Sequence, residues 1–146
     1  MLEIGEDVWG LNEFFHNDID ELVNAFTSAQ KEIASDMELR LQIGLSRHCP
    51  ISYLEDCLSH FWGNKNFYSI DLYGDELAQP IENFKGIYRR AKKEGLRLKA
   101  HVGEWGTAKD VRTAVEELEL DEVQHGIAAA DDESVTVSYT HLRAHE

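Results

Sequence analysis

Four short apolar runs, each preceded or followed by a stretch of helical periodicity, constrain this chain more than any other feature. "LRLQIGLS" (39–46), "FYSIDLY" (67–73), "LRLKAHV" (96–102) and "EVQHGI" (122–127) read as strands. In the first, Leu39, Leu41, Ile43 and Leu45 fall on one face and Arg40, Gln42 and Gly44 on the other. The opening "LEIGEDVW" reads as a further strand. Between them, Ile19, Leu22, Val23, Phe26 and Ile33 keep helical spacing behind a cap at Asp18. Pro50 opens a helix striped by Leu54, Cys57, Leu58 and Phe61. Ile81, Phe84, Tyr88 and Ala91 mark a third helix, stopped by Gly95. Thr107 and Asp110 begin a capping box ahead of Val111, Ala114, Val115 and Leu118.

The resulting β-α-β-α-β-α-β-α-β order calls for a parallel sheet covered by helices. Two forms are open, a doubly wound sheet and a (β/α)8 barrel. No GxGxxG or GxxxxGK(S/T) follows any strand, so no phosphate loop argues for the first. The βα rhythm fills residues 1–136. The closing "VSYTHLRAHE" (137–146) breaks it and resembles a translated sequencing-library adapter of the transposase type. Those residues are set aside as a non-native tail, and with them His141 and His145, whose spacing would suit a metal on a helix.

With 28 acidic against 14 basic residues, the net charge is −14, the wrong sign for a nucleic-acid binder. Cys49 and Cys57 form no CxxC pair and imply no disulfide framework; Cys57 falls on an apolar helix face. No apolar run approaches the roughly 20 residues that span a bilayer, and Met1 is followed by acidic, mixed sequence rather than a secretory leader. A cytoplasmic location is expected.

In such sheets, function gathers at the carboxyl ends of strands. There lie Ser46, Arg47 and His48, then Gly74, Asp75 and Glu76, then His101 and Glu104, and His125. Alternation sets Lys99 and His101 opposite Leu98, Ala100 and Val102, so His101 looks into a barrel mouth. It is either a hydrogen-bonded core histidine or a metal ligand. Glu104 follows the flexible Gly103 and can curl back over the mouth as a proton donor or acceptor, or lie solvated in a loop. His125 would share the mouth, because neighbouring strands are about 4.8 Å apart. Asp71 and Lys99, both inward on adjacent strands, are expected to form an interior ion pair.

"HVGE" (101–104), "QHG" (124–126) and "DLYGDE" (71–76), in this order and at these separations, resemble the signature of the adenosine deaminase family of the amidohydrolase superfamily. The resemblance runs from Leu2 to about Ser134. It implies a zinc-dependent (β/α)8 barrel that hydrolyses the 6-amino group of a purine nucleoside. His101 then resembles a zinc ligand. Glu104 resembles the acid that protonates the purine ring nitrogen beside the attacked carbon. His125 resembles the histidine that orients the attacking water. Gly74 resembles the glycine whose backbone meets the ring.

Departures are visible. Val102 replaces the family's usual alanine, and Glu122 and Gln124 stand where a basic residue and a glycine are common. They suggest a modified adenine nucleoside such as aminodeoxyfutalosine as another substrate. The family's HxH pair and its late aspartate are absent from this sequence. By resemblance, the strands are the second to the sixth of eight in a partial barrel, of which a complete copy takes about 250 residues. With one zinc ligand and unpaired sheet edges, the chain alone is expected to be inactive and prone to aggregate. A reading of another class is an acidic, non-catalytic binding domain on the same scaffold.

Overall fold

The computed structural model describes residues 2–136, with side chains from residue 10 onward. The chain runs β1 (Leu2–Asp7), α1 (Val8–Phe15), α2 (Ile19–Ile33), β2 (Leu39–Ser46), α3 (Ile51–Leu58), β3 (Phe67–Tyr73), α4 (Lys85–Glu94), β4 (Arg97–Val102), α5 (Ala108–Leu118) and β5 (Glu122–His125). Short 3-10 turns cover Ile81–Phe84 and Ile127–Asp131.

The five strands are parallel and stand in the order β1-β2-β3-β4-β5. Each is laid beside its predecessor, always on the same side. A doubly wound sheet must reverse its strand order at a switch point, and this one does not. The sheet is therefore wound as barrels are.

Side-chain alternation divides the sheet into two faces. Leu41, Ile43, Leu45, Ile70, Leu72, Leu98, Ala100 and Val102 are all buried in the core cluster with the helices. The opposite face carries Gln42, Ser69, Asp71, Lys99 and His101, aligned by the registers Gln42↔Ser69 and Asp71↔Lys99.

The helices form where cap and stripe agree. Asp18 Oδ1 accepts from the backbone N–H groups of Asp20 and Glu21, 3.0 Å each, and starts α2. Thr107 and Asp110 complete a reciprocal capping box on α5. The stripe Ile81, Phe84, Tyr88, Ala91 is buried throughout, but its first turn is 3-10 and only the remainder is α4.

Four expectations need correction. "VWGLNEFF" continues no strand; from Val8 it is the helix α1, packed on α2 and α3. Ile33 leaves its stripe and is 83% exposed, because the last turn of α2 outruns the core beneath it. Pro50 precedes the first helical residue of α3 rather than occupying it. Phe61 lies beyond α3, yet it is buried, edge-on to Phe67 at 5.1 Å. The tail, including His141 and His145, lies outside the described residues.

Candidate active site

The carboxyl ends of β3, β4 and β5 meet at one rim. β4 ends at Val102, and Gly103 turns the chain with φ +77°. A Cβ on Gly103 would lie 2.5 Å from Val111 Cγ2 of α5, so both the torsion and the space require glycine. The turn brings Glu104 back over the rim, where its Oε2 lies 3.4 Å from His125 Nε2. The His101 and His125 rings stand 5.1 Å apart, tilted by 56°. Thus the two imidazoles and the carboxyl that the sequence placed at one mouth do gather there. An open cleft of about 440 Å³ beside them is lined by Gly74, Asp75, His101, Glu104 and Trp105.

His125 arrives by a route that alternation does not give. Along β5, Val123 and His125 belong to the helix-facing side and Glu122 and Gln124 to the other. His125, however, sits in the left-handed region at φ +66° and is followed by Gly126 at φ +62°. That conformation costs a non-glycine residue about 1–2 kcal/mol. It is held by backbone bonds from Gly126 N–H to Val102 O (2.9 Å) and from Ala128 N–H to Gly103 O (3.0 Å). The kink turns the imidazole out of the helix layer toward His101.

His101 is oriented from β3. Its Nδ1 lies 3.0 Å from Asp71 Oδ2, off the ideal hydrogen-bond line. The Asp71 carboxylate raises the His101 pKa above the ordinary imidazole value, and burial opposes it. With Nδ1 facing Asp71, Nε2 is left for lone-pair donation. Asp71 is nearly fully buried and also accepts from Gln42 Nε2 at 3.4 Å, while its Oδ1 has no partner.

The expected Asp71–Lys99 ion pair is not formed, although the two residues are register neighbours. Lys99 extends its long stem to Glu122, its register neighbour on β5, with Nζ 3.1 Å from Oε2. The short Asp71 is engaged by His101 instead. Lys99 does not reach solvent either, being 3% exposed.

Gly74 ends β3 at φ +99°, and a Cβ there would stand 3.1 Å from His48 Nδ1. Arg47 is withdrawn from the rim. It is buried, its Nε donates to Gln79 O at 3.0 Å, and burial lowers its pKa.

Three residues carry more of this site than the sequence suggested. Asp71 holds His101. Trp105, 76% exposed, edges the cleft. Glu76 is buried and accepts the N–H groups of Gly103, Glu104 and Trp105. The "DLYGDE" run contains two of them, but nothing in it says which partners they take.

Among the described residues, no three His, Cys, Asp or Glu side chains are grouped to hold a metal ion. His101 offers a single imidazole backed by Asp71. The described residues do not complete a metal site by themselves.

A parallel sheet wound one way, with its polar groups on the turns at its carboxyl edge, defines a segment of a (β/α)8 barrel. An amidohydrolase from Burkholderia ambifaria, solved with bound Zn, superposes with a TM-score of 0.79 over 95% of this chain and 40% of its own, at 24% identity. The sequence model of the adenosine deaminase family matches residues 14–145, and the chain belongs to that family. It is 35% identical over 135 residues to a Treponema pallidum protein provisionally named an adenosine/adenine deaminase, covering 92% of this chain and 45% of that one. An adenine deaminase of Rhodospirillum rubrum is 32% identical over 123 residues, covering 80% and 36%. The chain thus spans less than half the length of the curated relatives it matches.

Proposed function

We propose that this chain carries the proton-handling half of a deaminase that hydrolyses the 6-amino group of adenine, free or as a nucleoside. The observation that carries the reading is the gathering of His101, Glu104 and His125 from two strands and a turn beside one cleft. Family membership and the adenine deaminases among the relatives support the substrate class.

In this reading, Glu104 gives its proton to the ring nitrogen next to the carbon under attack. Protonation weakens the ring's aromaticity and opens that carbon to water. His125, in contact with Glu104, orients the water and balances the charge that develops as its proton leaves. The backbone at Gly74 meets the flat edge of the ring. Trp105 offers an aromatic face at the cleft. His101 would offer one ligand through Nε2 to a zinc ion, with the remaining ligands supplied from outside this chain. Zinc, when bound, acidifies water so that a nucleophile is available at neutral pH. Residues 137–146 are proposed to be foreign to the barrel. Among the described residues, no helix is long and apolar enough to cross a membrane.

The test is ammonia release by the complete protein supplied with zinc, given adenine, adenosine, aminodeoxyfutalosine and non-purine amides in parallel. Release from an adenine-type substrate is expected, and Glu104→Gln should lower kcat by about 10²–10⁴-fold. Binding of purines without any release would favour the non-catalytic alternative. The 146-residue chain on its own should release none, and turnover by it would refute the dependence on outside ligands.

A further inference from the structure

The loop after β3 reaches across to the turn after β4 through one buried side chain. Glu76 is 7% exposed. Its Oε2 accepts the Gly103 N–H at 2.8 Å, and its Oε1 accepts those of Glu104 at 2.8 Å and Trp105 at 3.0 Å. Three consecutive backbone donors converge on one carboxylate, the arrangement by which a backbone nest holds an anion. The fit is close on the far side too. A Cβ at Gly106 would stand 2.8 Å from Glu76 Oε2, and one at Gly103 would stand 2.5 Å from Val111 Cγ2.

We propose that Glu76 is the positioning residue of the active site: by binding the backbone of 103–105 it fixes the direction in which Glu104 leaves β4. The inference rests on the reading of Glu104 as the proton donor. No other group among the described residues accepts these three N–H groups, so without Glu76 the turn would exchange its donors with water. Gly103 would then allow Glu104 to sample other directions, away from His125. A shift of the donor by about 1 Å is enough to cost on the order of a hundredfold in rate. Both oxygens are used, so Gln, with one acceptor, preserves the shape and loses part of the clamp. Asp, one methylene shorter, withdraws the carboxylate.

Two measurements test it together. Amide hydrogen exchange on the unsubstituted complete protein should find 103–105 protected, and the result is sharpest at Glu104 and Trp105, which are exposed and have no burial to slow them. Free-peptide exchange rates there would overturn the proposal without any variant having to fold. In the complete protein, Glu76→Gln should lower kcat by about a hundredfold with KM changed less than about threefold. Exchange at 103–105 should rise while that of Leu98–Ala100 stays at its original rate. Protected amides combined with an unchanged kcat in Glu76→Gln would equally overturn it. Failure of the deaminase reading shows separately, as absence of ammonia release by the unsubstituted complete protein.

Discussion

Ile70 and Asp71 are consecutive on β3, and both are almost wholly inaccessible to solvent, yet they are buried for opposite reasons. Ile70 faces the helices, where Leu72, Leu98 and Ala100 make a layer without polar side-chain groups. Any apolar side chain of the right volume would do comparable work there. Asp71 faces the other way, into a row where Gln42 donates to it, Ser69 donates to Gln42 at 3.0 Å, and His101 leans on it from β4. A charge is tolerated in that row because specific groups surround it, and its identity cannot be exchanged for volume. One face of the sheet is buried by matching volume, and the other by matching polar partners.

Substitution can break or sharpen that contrast. On the helix side, Ile70→Ala should cost about 3 kcal/mol in denaturant unfolding, and Ile70→Val about 1, tracking lost volume. A flat response to size would contradict it. On the mouth side, Asp71→Ala should cost about 2 kcal/mol by leaving His101 and Gln42 without their acceptor. A stability unchanged by that substitution would mean the row is not interlocked. The smallest effect belongs to neither face. Thr107→Ala should cost about 1 kcal/mol by uncapping α5.

That last effect should depend on pH. Hydrogen bonds from Thr107, side chain and then backbone, lower the Asp110 pKa below the ordinary carboxylate value. A lowered folded pKa stabilises above the unfolded value, near about pH 4, and the contribution disappears as pH falls through the folded one. The cost of Thr107→Ala should therefore shrink as the pH is lowered from neutral into acid. An undiminished cost in acid would show that the carboxylate form of Asp110 does not matter to the cap.

Much of this was legible from residue order alone. Short apolar runs located all five strands, with clear alternation in β2 and β4, and the capping residues Asp18 and Thr107 located two helix starts, because those signals are local. α1 was not legible: Gly10 interrupts its pattern, no acidic residue marks its first turn, and it follows a strand without a break. His125 was assigned to the right place on incomplete grounds. Strict period two puts it among the helices, and only the left-handed kink before Gly126 brings it over. Asp71 shows that register names neighbours but not reach, since Lys99 bypasses it for Glu122. Glu76 shows a deeper limit. Its partners are backbone N–H groups, which every residue but proline possesses, so no letter in the sequence announces them.

The contact between Gly103 and Val111 joins two things that are usually free to vary apart. Val111 Cγ2, a core group of α5, occupies the space that a Cβ at position 103 would need. Enlarging the one pushes directly on the other. A bulkier side chain at position 111 would therefore be felt at the turn that carries Glu104 out of β4, and not only within the helix layer.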